Sequence, residues 1–364
     1  MENRYTRQVQ LPGFGAEAQE KLQRAKVLVV GAGGLGVPVL QYLTGMGVGT
    51  IGVVDGDTVS LTNLHRQILF SDAHVGSLKV QVAVTRLQGQ NPEVAFTAYP
   101  TFLTVENAVE LVQEYDLVID ATDSFEARYL INDVCVLLHK PFVYGALHQF
   151  EGQVSVFNYL GGPTYRCLYP APPSAQEIPD CNTAGVLGVV PGLIGCHQAL
   201  EAVKVITGIA APLSGYLLMF DFLNQSQYKV KLKAKQENQT VRQLLPSYSL
   251  AGCATVRQLS VEELHQWLTQ GKDVLLLDVR ETEEHQQGHL ARAQLLPLSR
   301  LSAALDSLPR RGILLTICQK GSRSQKAAEL ISQACPALEV YSIAGGMDHW
   351  RQKFGNLKLV QWQA

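Results

Sequence analysis

Between Val27 and Val54 the chain runs for 28 residues without an Asp, Glu, Lys or Arg, and eight of those residues are glycine. So long an apolar segment must leave water, into either a bilayer or a protein core. Its glycines and Pro38 argue against a uniform membrane helix, because both residue types disfavour a helix interior. It divides instead into a short apolar run, Lys26 to Val30; the turn Gly31-Ala32-Gly33-Gly34-Leu35-Gly36; a helical stretch to about Thr44; and a second apolar run, Thr50 to Val54, closed by Asp55. Strand, turn, helix and strand in that order make a βαβ unit.

The alternation continues. Helices are expected at 77–89, 105–114 and 126–139, with strands at 93–99, 117–120 and 142–145, which predicts an α/β fold with a mostly parallel, Rossmann-like sheet covered on both faces. After Gly152 come a strand, a Pro-rich loop at 169–179, a helix near 188–207 and strands at 215–221 and 228–234. In the last of these Lys229, Lys231 and Lys233 alternate with apolar residues, the pattern of an edge strand with one wet face. A second charge-free run, Cys181 to Leu200, contains four glycines, Pro191, His197 and Gln198, so it too is read as core and not as a membrane span. From Ser260 a separate, smaller α/β pattern begins: helix 260–270, strand 274–277, a helix start at Glu281, strand 313–317, helix 323–334 and strand 339–342. The domains are therefore placed at 1–240 and 258–364, joined by a linker at 241–257.

With 364 residues, 46% of them apolar, the chain can bury two cores. Only 17% are charged, against about 25% in an average soluble chain. The net charge is −2, divided as −5 before about residue 240 and +3 after it, and neither half suggests nucleic-acid binding. The N-terminal segment has no apolar signal core, which predicts a cytoplasmic, reducing setting. Seven widely spaced cysteines without a C-x-x-C pair suit individual reactive thiols better than a disulfide scaffold.

The glycine turn sits between a strand and a helix, where glycines allow close backbone approach and the helix N-terminus offers free N–H groups to phosphate. Asp55, at the end of the second strand, can accept from ribose hydroxyls. Taken alone, these features also fit a nicotinamide-dependent oxidoreductase. The next segments of the chain point elsewhere: Asp57-Thr58-Val59-Ser60-Leu61-Thr62-Asn63-Leu64-His65-Arg66-Gln67, then Lys79, then Ala121-Thr122-Asp123. A triphosphate needs cations and a carboxylate to hold Mg²⁺; Arg66, Lys79 and Asp123 could supply them, with Arg7 a further cation.

Arg4-Tyr5-x-Arg7-Gln8, the VVGAGGLG turn, VVDGDTVSLTNLHRQ, Lys79 and ATDS, in that order, resemble the ubiquitin-activating-enzyme-like family in its bacterial MoeB/ThiF branch, over roughly residues 4–235. The resemblance implies adenylation of the C-terminal glycine of a small ubiquitin-like sulfur-carrier protein ending in Gly-Gly. It implies ATP against Gly34, Asp55, Thr62, Asn63, Leu64, His65, Arg66, Lys79, Asp123 and Ser124, with Mg²⁺ on Asp123. It also implies a homodimer in which Arg7 reaches the partner's site, and a nucleophilic role for Cys181. Ser124 stands where the family commonly has Asn. The family often carries two C-x-x-C pairs on structural zinc; here the first reads Thr164-Tyr165-Arg166-Cys167 and the second is missing, so no structural zinc is expected.

In the second domain an apolar strand runs into Cys318-Gln319-Lys320-Gly321-Ser322-Arg323 and then a helix. A cysteine there meets a ring of backbone N–H groups that stabilise a thiolate or persulfide. Tyrosine-type phosphatases use a loop one residue longer, sized for phosphate. With LLLDVRETEEHQQGHL and YSIAGGMDHW, the loop resembles a rhodanese domain, in which Asp278 and Arg280 tie a strand end to its neighbours. His285 and His289 invite a zinc reading, but Gly288 ends their helix and no third ligand accompanies them.

The two resemblances together imply that ATP activates the carrier's terminal carboxylate, that Cys318, persulfidated by a separate donor, attacks the acyl group, and that Cys181 resolves the product by thiol–disulfide exchange. An oxidoreductase fused to a sulfur carrier and a non-catalytic carrier-binding scaffold stand as alternatives. The sequence leaves the pathway open among molybdopterin, thiamin, tRNA thiolation and cysteine.

Overall fold

The computed structural model describes residues 4–173, 185–248, 256–335, 337–355 and 359–360. It divides into two compact units, Met1–Tyr248 and Ser249–Ala364.

The first unit holds α1 (Thr6–Val9), α2 (Gly15–Arg24), β1 (Lys26–Val30), α3 (Gly36–Met46), β2 (Thr50–Val54), α4 (Lys79–Gln90), β3 (Ala95–Tyr99), α5 (Ala108–Gln113), β4 (Leu117–Asp120), α6 (Phe125–Leu137), β5 (Phe142–His148), β6 (Glu151–Phe157), α7 (Tyr165–Leu168), α8 (Val189–Thr207), β7 (Tyr216–Asp221) and β8 (Ser226–Lys231). One eight-stranded sheet runs β3-β2-β1-β4-β5-β6-β7-β8. Its first five strands are parallel and the pairs from β5 to β8 antiparallel. The apolar faces of β1 and β4 divide between two cores: Val27, Val29 and Ile119 pack with α3, α4 and α8, whereas Leu28, Val30 and Val118 pack with α5 and α6. The charge-free run from Val27 to Val54 is thus β1, α3 and β2, buried on both sides of the sheet. The strand order reverses between β1 and β4, so a crevice opens beyond their carboxyl ends, where ligands bind open α/β sheets.

The second charge-free run leads into α8. By length and composition α8 could cross a membrane, yet Ile194, Gln198 and Ala202 are fully buried and half of the helix is interior. Gly208, with φ +75°, stops it in a left-handed cap. At the sheet edge β8 is wet on both faces, not one: Tyr228 and Val230 are exposed as well as the lysines. The stretch from 241, expected as linker, packs on the first unit as far as Tyr248, which is buried and donates to Asp133 Oδ2 at 2.8 Å. Asp133 is gripped in turn by both arms of Arg166 at 2.7 Å.

The second unit comprises β9 (Arg257–Leu259), α9 (Val261–Thr269), β10 (Leu275–Asp278), α10 (Thr282–Gln286), β11 (His289–Leu290), β12 (Ala293–Leu295), α11 (Leu298–Ala304), β13 (Gly312–Ile317), α12 (Ser322–Ala334), β14 (Leu338–Ile343), α13 (Gly346–Phe354) and β15 (Leu359–Val360). Its five-stranded sheet, β12-β10-β13-β14-β9, is parallel throughout. Cores on its two faces are centred on Leu314 with Ile331, and on Leu315 with Trp350.

Candidate active site

In the first unit the glycine turn is shaped by contacts that no side chain could share. Gly31 adopts φ +103°, and a Cβ on it would lie 2.6 Å from the Ala121 carbonyl oxygen. A Cβ on Gly36 would fall 1.9 Å from the Gly31 oxygen. The turn is therefore locked against the end of β4, two residues before Asp123. Gly34 is less tightly held, its Cβ meeting Pro191 first, at 3.1 Å, and then the Arg66 side chain, at 3.5 Å. The space over Gly34 is a cradle walled by the start of α8 and by Arg66.

Asp55 is buried at the tip of β2, its carboxylate accepting from Ala32 N and Asp57 N, both at 2.8 Å. Burial pushes its pKa up, with Lys79 and the two N–H groups pulling the other way. Lys79 is itself buried and paired with Asp57 at 2.9 Å. Thr62 and Asn63 lie in a 3₁₀ turn, Leu61–Asn63, where Asn63 Oδ1 accepts from Ser60 N at 3.3 Å. Arg66 donates to the Thr62 carbonyl at 3.0 Å and contacts His65 Nε2 at 2.8 Å, so the loop orients its own cation. Leu64 packs against the core, while His65 supports Gly188, whose Cβ would lie 2.1 Å from the His65 oxygen. Gln67 is buried with Oε1 unpartnered beside this group. Gly34, Asp55, Thr62 to Arg66 and Lys79 are thus gathered around one turn.

Asp123 is exposed just beyond β4. The Ser124 hydroxyl caps α6, accepting from Ala127 N at 3.3 Å and donating to Glu126, so its hydrogen bonds serve the helix. Arg7 is not part of the group. It is exposed on α1, which is tied to the far end of α3 by a bond from Gln8 Nε2 to the Met46 oxygen, 3.0 Å. The length of α3, ~16 Å, separates that end from the glycine turn. Cys181 lies outside the described residues.

Arg128 was missing from the sequence-derived set, and the structure brings it forward. It is buried on α6, donates to the Thr122 carbonyl at 3.0 Å and faces Asp120 at 3.9 Å. Its guanidinium lies over the rings of Phe125 and Tyr144, 5.4 and 5.7 Å from their centroids. It lines a cavity of about 420 Å³ between the start of α6, the β5–β6 hairpin and the chain at Tyr169. A cation near a helix N-terminus works against the macrodipole, and that misplacement was the signal available in the sequence.

The single thiol of the former zinc motif, Cys167, has taken up a local role. Its Sγ accepts from Thr164 N at 3.4 Å and Lys235 N at 3.3 Å. Burial opposes ionisation there, but those hydrogen bonds outweigh it and lower the pKa.

In the second unit Cys318 is buried at the end of β13, its Sγ accepting from Gly321 N at 3.1 Å and lying 3.5 Å from Ser324 Oγ. Gly346 forms the floor, since a Cβ there would lie 2.2 Å from the Cys318 oxygen; Met347 N donates to that oxygen at 2.8 Å. Gln319 bridges Arg280, at 3.1 Å, and Asp348. Arg280 is buried, grips Asp278 and reaches the Gly288 carbonyl, the strand-end tie expected. Lys320 is exposed, and Ser322 opens α12. Arg323 does not hold a free charge over the thiol: both its arms are taken by Glu284 at 2.6 Å, and Arg323 pulls the Glu284 carboxyl down to about 2. His285 and His289 stack face to face, centroids 3.6 Å apart, so their nitrogens run parallel and do not converge on one point.

A glycine turn at a helix N-terminus with a buried lysine and a loop arginine beside it, and a cysteine at the mouth of a second helix, define a nucleotide-using α/β protein with a sulfur-handling partner domain. The chain belongs to the ThiF family, whose model matches residues 5–241, and it carries a rhodanese-like domain at 260–353. It is 39% identical to "Adenylyltransferase and sulfurtransferase MOCS3-2" of Zea mays over 96% of this chain and 79% of that one. Identity reaches 53% with "Sulfur carrier protein adenylyltransferase" of Thermus thermophilus, over 64% of this chain and 87% of that one. The fold of the first unit resembles E. coli MccB crystallised with ATP, at TM-score 0.57 and 22% identity over 64% of this chain and 73% of that one. The chain therefore joins an adenylyltransferase to a sulfurtransferase.

Proposed function

We propose that the protein adenylates the C-terminal glycine of a small ubiquitin-like sulfur carrier ending in Gly-Gly and then converts it to a thiocarboxylate. The observation that carries this reading is the gathering of Gly34, Asp55, Arg66 and Lys79 around one turn, with the cavity lined by Arg128 at the start of α6. The N–H groups of the glycine turn at the start of α3 suit a phosphate, and Asp55 suits a ribose. Asp123 would hold Mg²⁺, which supplies charge neutralisation between phosphates when bound.

The carrier's carboxylate oxygen bonds to the α-phosphorus of ATP and pyrophosphate leaves, with Arg66 and Lys79 stabilising the departing charge. The terminal sulfur of a Cys318 persulfide, supplied by a separate donor, bonds to the acyl carbon and expels AMP. Cys181 then attacks the Cys318 sulfur; a Cys181–Cys318 disulfide forms, the thiocarboxylate leaves, and an external thiol reduces the disulfide. In this reading the protein acts as a homodimer, in which Arg7, exposed on α1 and apart from its own glycine-turn group, reaches the partner's site. It works in the reducing cytoplasm, where the resolved thiols are restored. Homology to the MOCS3 proteins favours the molybdopterin route.

Cys318→Ala should leave carrier-dependent ATP–pyrophosphate exchange intact and abolish thiocarboxylate formation, read by mass spectrometry of the carrier. Asp123→Ala should abolish exchange. Loss of exchange in Cys318→Ala, or its retention in Asp123→Ala, would overturn this division of labour.

A further inference from the structure

We propose that Gln153 is a substrate-positioning residue: its carboxamide N–H groups, held toward the Arg128 cavity, donate to a peptide carbonyl of the carrier's C-terminal tail. This rests on the proposed function, in which the substrate is such a tail.

Gln153 lies on β6, directly across from Ala146 on β5, and both line the cavity. Its Oε1 accepts from two hydroxyls, Tyr144 and Tyr169, each at 3.3 Å. Those tyrosines come from separate parts of the chain, one on β5 and one after α7, and the Tyr169 segment is anchored by Tyr129, which donates to the Tyr169 oxygen at 3.0 Å and the Ala171 oxygen at 2.7 Å. With its oxygen fixed on two sides, the amide plane is set. Its two N–H donors have no partner among the described residues.

An unoccupied, oriented amide donor in a walled cavity recognises a neutral acceptor, because a carboxamide carries no charge with which to compete for the carboxylate. The cation for the carboxylate is Arg128, at the level of Tyr144. In β5, Tyr144 and Ala146 are two residues apart, ~7 Å along the strand. An extended tail with its carboxylate near Arg128 therefore passes Gln153 with a peptide carbonyl upstream of its terminus. The aromatic walls, Phe125 and Tyr144, leave room for a backbone without side chains. Gln153 thus measures where an extended, neutral backbone must lie for its terminus to reach the nucleotide, which is a requirement on position and not on charge.

The test is Gln153→Glu in the full-length protein. A carboxylate of the same shape still accepts from both tyrosines but donates nothing, so the KM for carrier in ATP–pyrophosphate exchange should rise at least tenfold, the effect of a lost buried hydrogen bond, while the KM for ATP stays within twofold. The Kd of a carrier lacking its last four residues should be the same for wild type and variant. An unchanged carrier KM, or an equal loss of affinity for the truncated carrier, would overturn the assignment. Should Gln153→Glu fail to fold, Tyr169→Phe decides: freeing one side of the amide should raise the carrier KM about threefold, and an unchanged KM overturns the proposal. If wild-type protein exchanges pyrophosphate with no Gly-Gly carrier, the functional reading itself fails. If wild type is active and the variants match it, only the role of Gln153 fails.

Discussion

Replacing Arg128 by methionine tests how the first unit holds a charge in its interior. Asp120 is fully buried. One of its oxygens accepts from the Thr122 backbone at 3.1 Å and hydroxyl at 2.7 Å, but Oδ2 has no hydrogen-bond partner. The counter-charge facing it is Arg128, 3.9 Å away. At that separation and an effective dielectric constant near 20 the attraction amounts to about 4 kcal/mol, and stripping the partner from a buried pair costs roughly 3–5 kcal/mol. Arg128→Met should therefore destabilise the first unit by about 4 kcal/mol.

Hydrogen exchange read by mass spectrometry reports this directly, as lost protection in β4 and α6. The tryptophans at 267, 350 and 362 all lie in the second unit, so their fluorescence provides an internal control that should not move. Burial already raises the pKa of Asp120 above its ordinary 3.8, and Arg128 restrains that rise. Removing Arg128 lets it rise further. The carboxylate opposes folding only where it is charged, so the deficit is greatest at neutral pH and narrows as pH falls through the raised value toward 3.8. Asp120→Asn combined with Arg128→Met should recover most of the stability and none of the exchange activity. A single variant as stable as wild type, or a double variant no better than the single, would refute the electrostatic reasoning; recovered activity would remove Arg128 from the site.

Two glycines of the turn should separate fold from function. Gly36→Ala puts a methyl 1.9 Å from a backbone oxygen and should cost at least about 2 kcal/mol in thermal unfolding, with ATP binding lost as the turn opens. Gly34→Ala meets the Pro191 ring at 3.1 Å, so that ring must shift slightly; the variant should lose less stability than Gly36→Ala, about 1 kcal/mol, while calorimetry shows ATP affinity falling at least tenfold. In the second unit, Glu284 has its carboxyl lowered to about 2 by Arg323, so the pair adds stability above the ordinary 4.5 that disappears as pH falls toward 2. Both partners are about a third exposed, so Glu284→Gln should cost only about 1 kcal/mol at neutral pH by tryptophan fluorescence and nothing near pH 2; a pH-independent loss would mean the pair acts by shape alone.

How much could be read in advance depended on the strength of the local pattern. Strands β1, β2 and β4 are continuous apolar runs with covered faces on both sides, and their limits appear in the sequence almost to the residue. Helix α2 did not appear there, because Ala18, Gln19 and Leu22 are its buried side chains and the rest is a solvated face. Its amphipathic stripe is too narrow to stand out from a polar terminus. The wet inner face of β8 was invisible for the opposite reason: Val230 and Tyr228 look like core by composition, and only the structure shows β8 at the sheet edge with both side chains exposed among the described residues. Among site residues, Asp55, Lys79 and Cys318 sit where an element changes type, which pattern reading finds. Arg128 and Gln153 sit inside elements; their partners Thr122 and Tyr144 are only 6 and 9 positions away, but the contacts depend on the turn from β4 into α6 and on the β5–β6 pairing, which no periodicity displays. Gln198 goes further, donating from α8 to the Asp120 carbonyl at 2.6 Å, across 78 positions.

That difference bears on how the charge of the nucleotide is met. Positive side chains crowded around an empty glycine turn would repel one another and oppose burial. In this protein the buried cations are each kept by a carboxylate, Lys79 by Asp57 and Arg128 by Asp120, while the partly exposed Arg66 is kept by its own loop. The arrangement keeps the cations in place at modest cost, because each pair is nearly neutral until a phosphate or a carboxylate arrives. Asp57, with its side chain half exposed, can return to water when Lys79 turns to a phosphate, whereas Asp120 is sealed and must stay. Under the proposed function Lys79 would therefore be the cation free to follow the nucleotide, and Arg128 the one that stays put and sets where the carboxylate to be activated comes to rest.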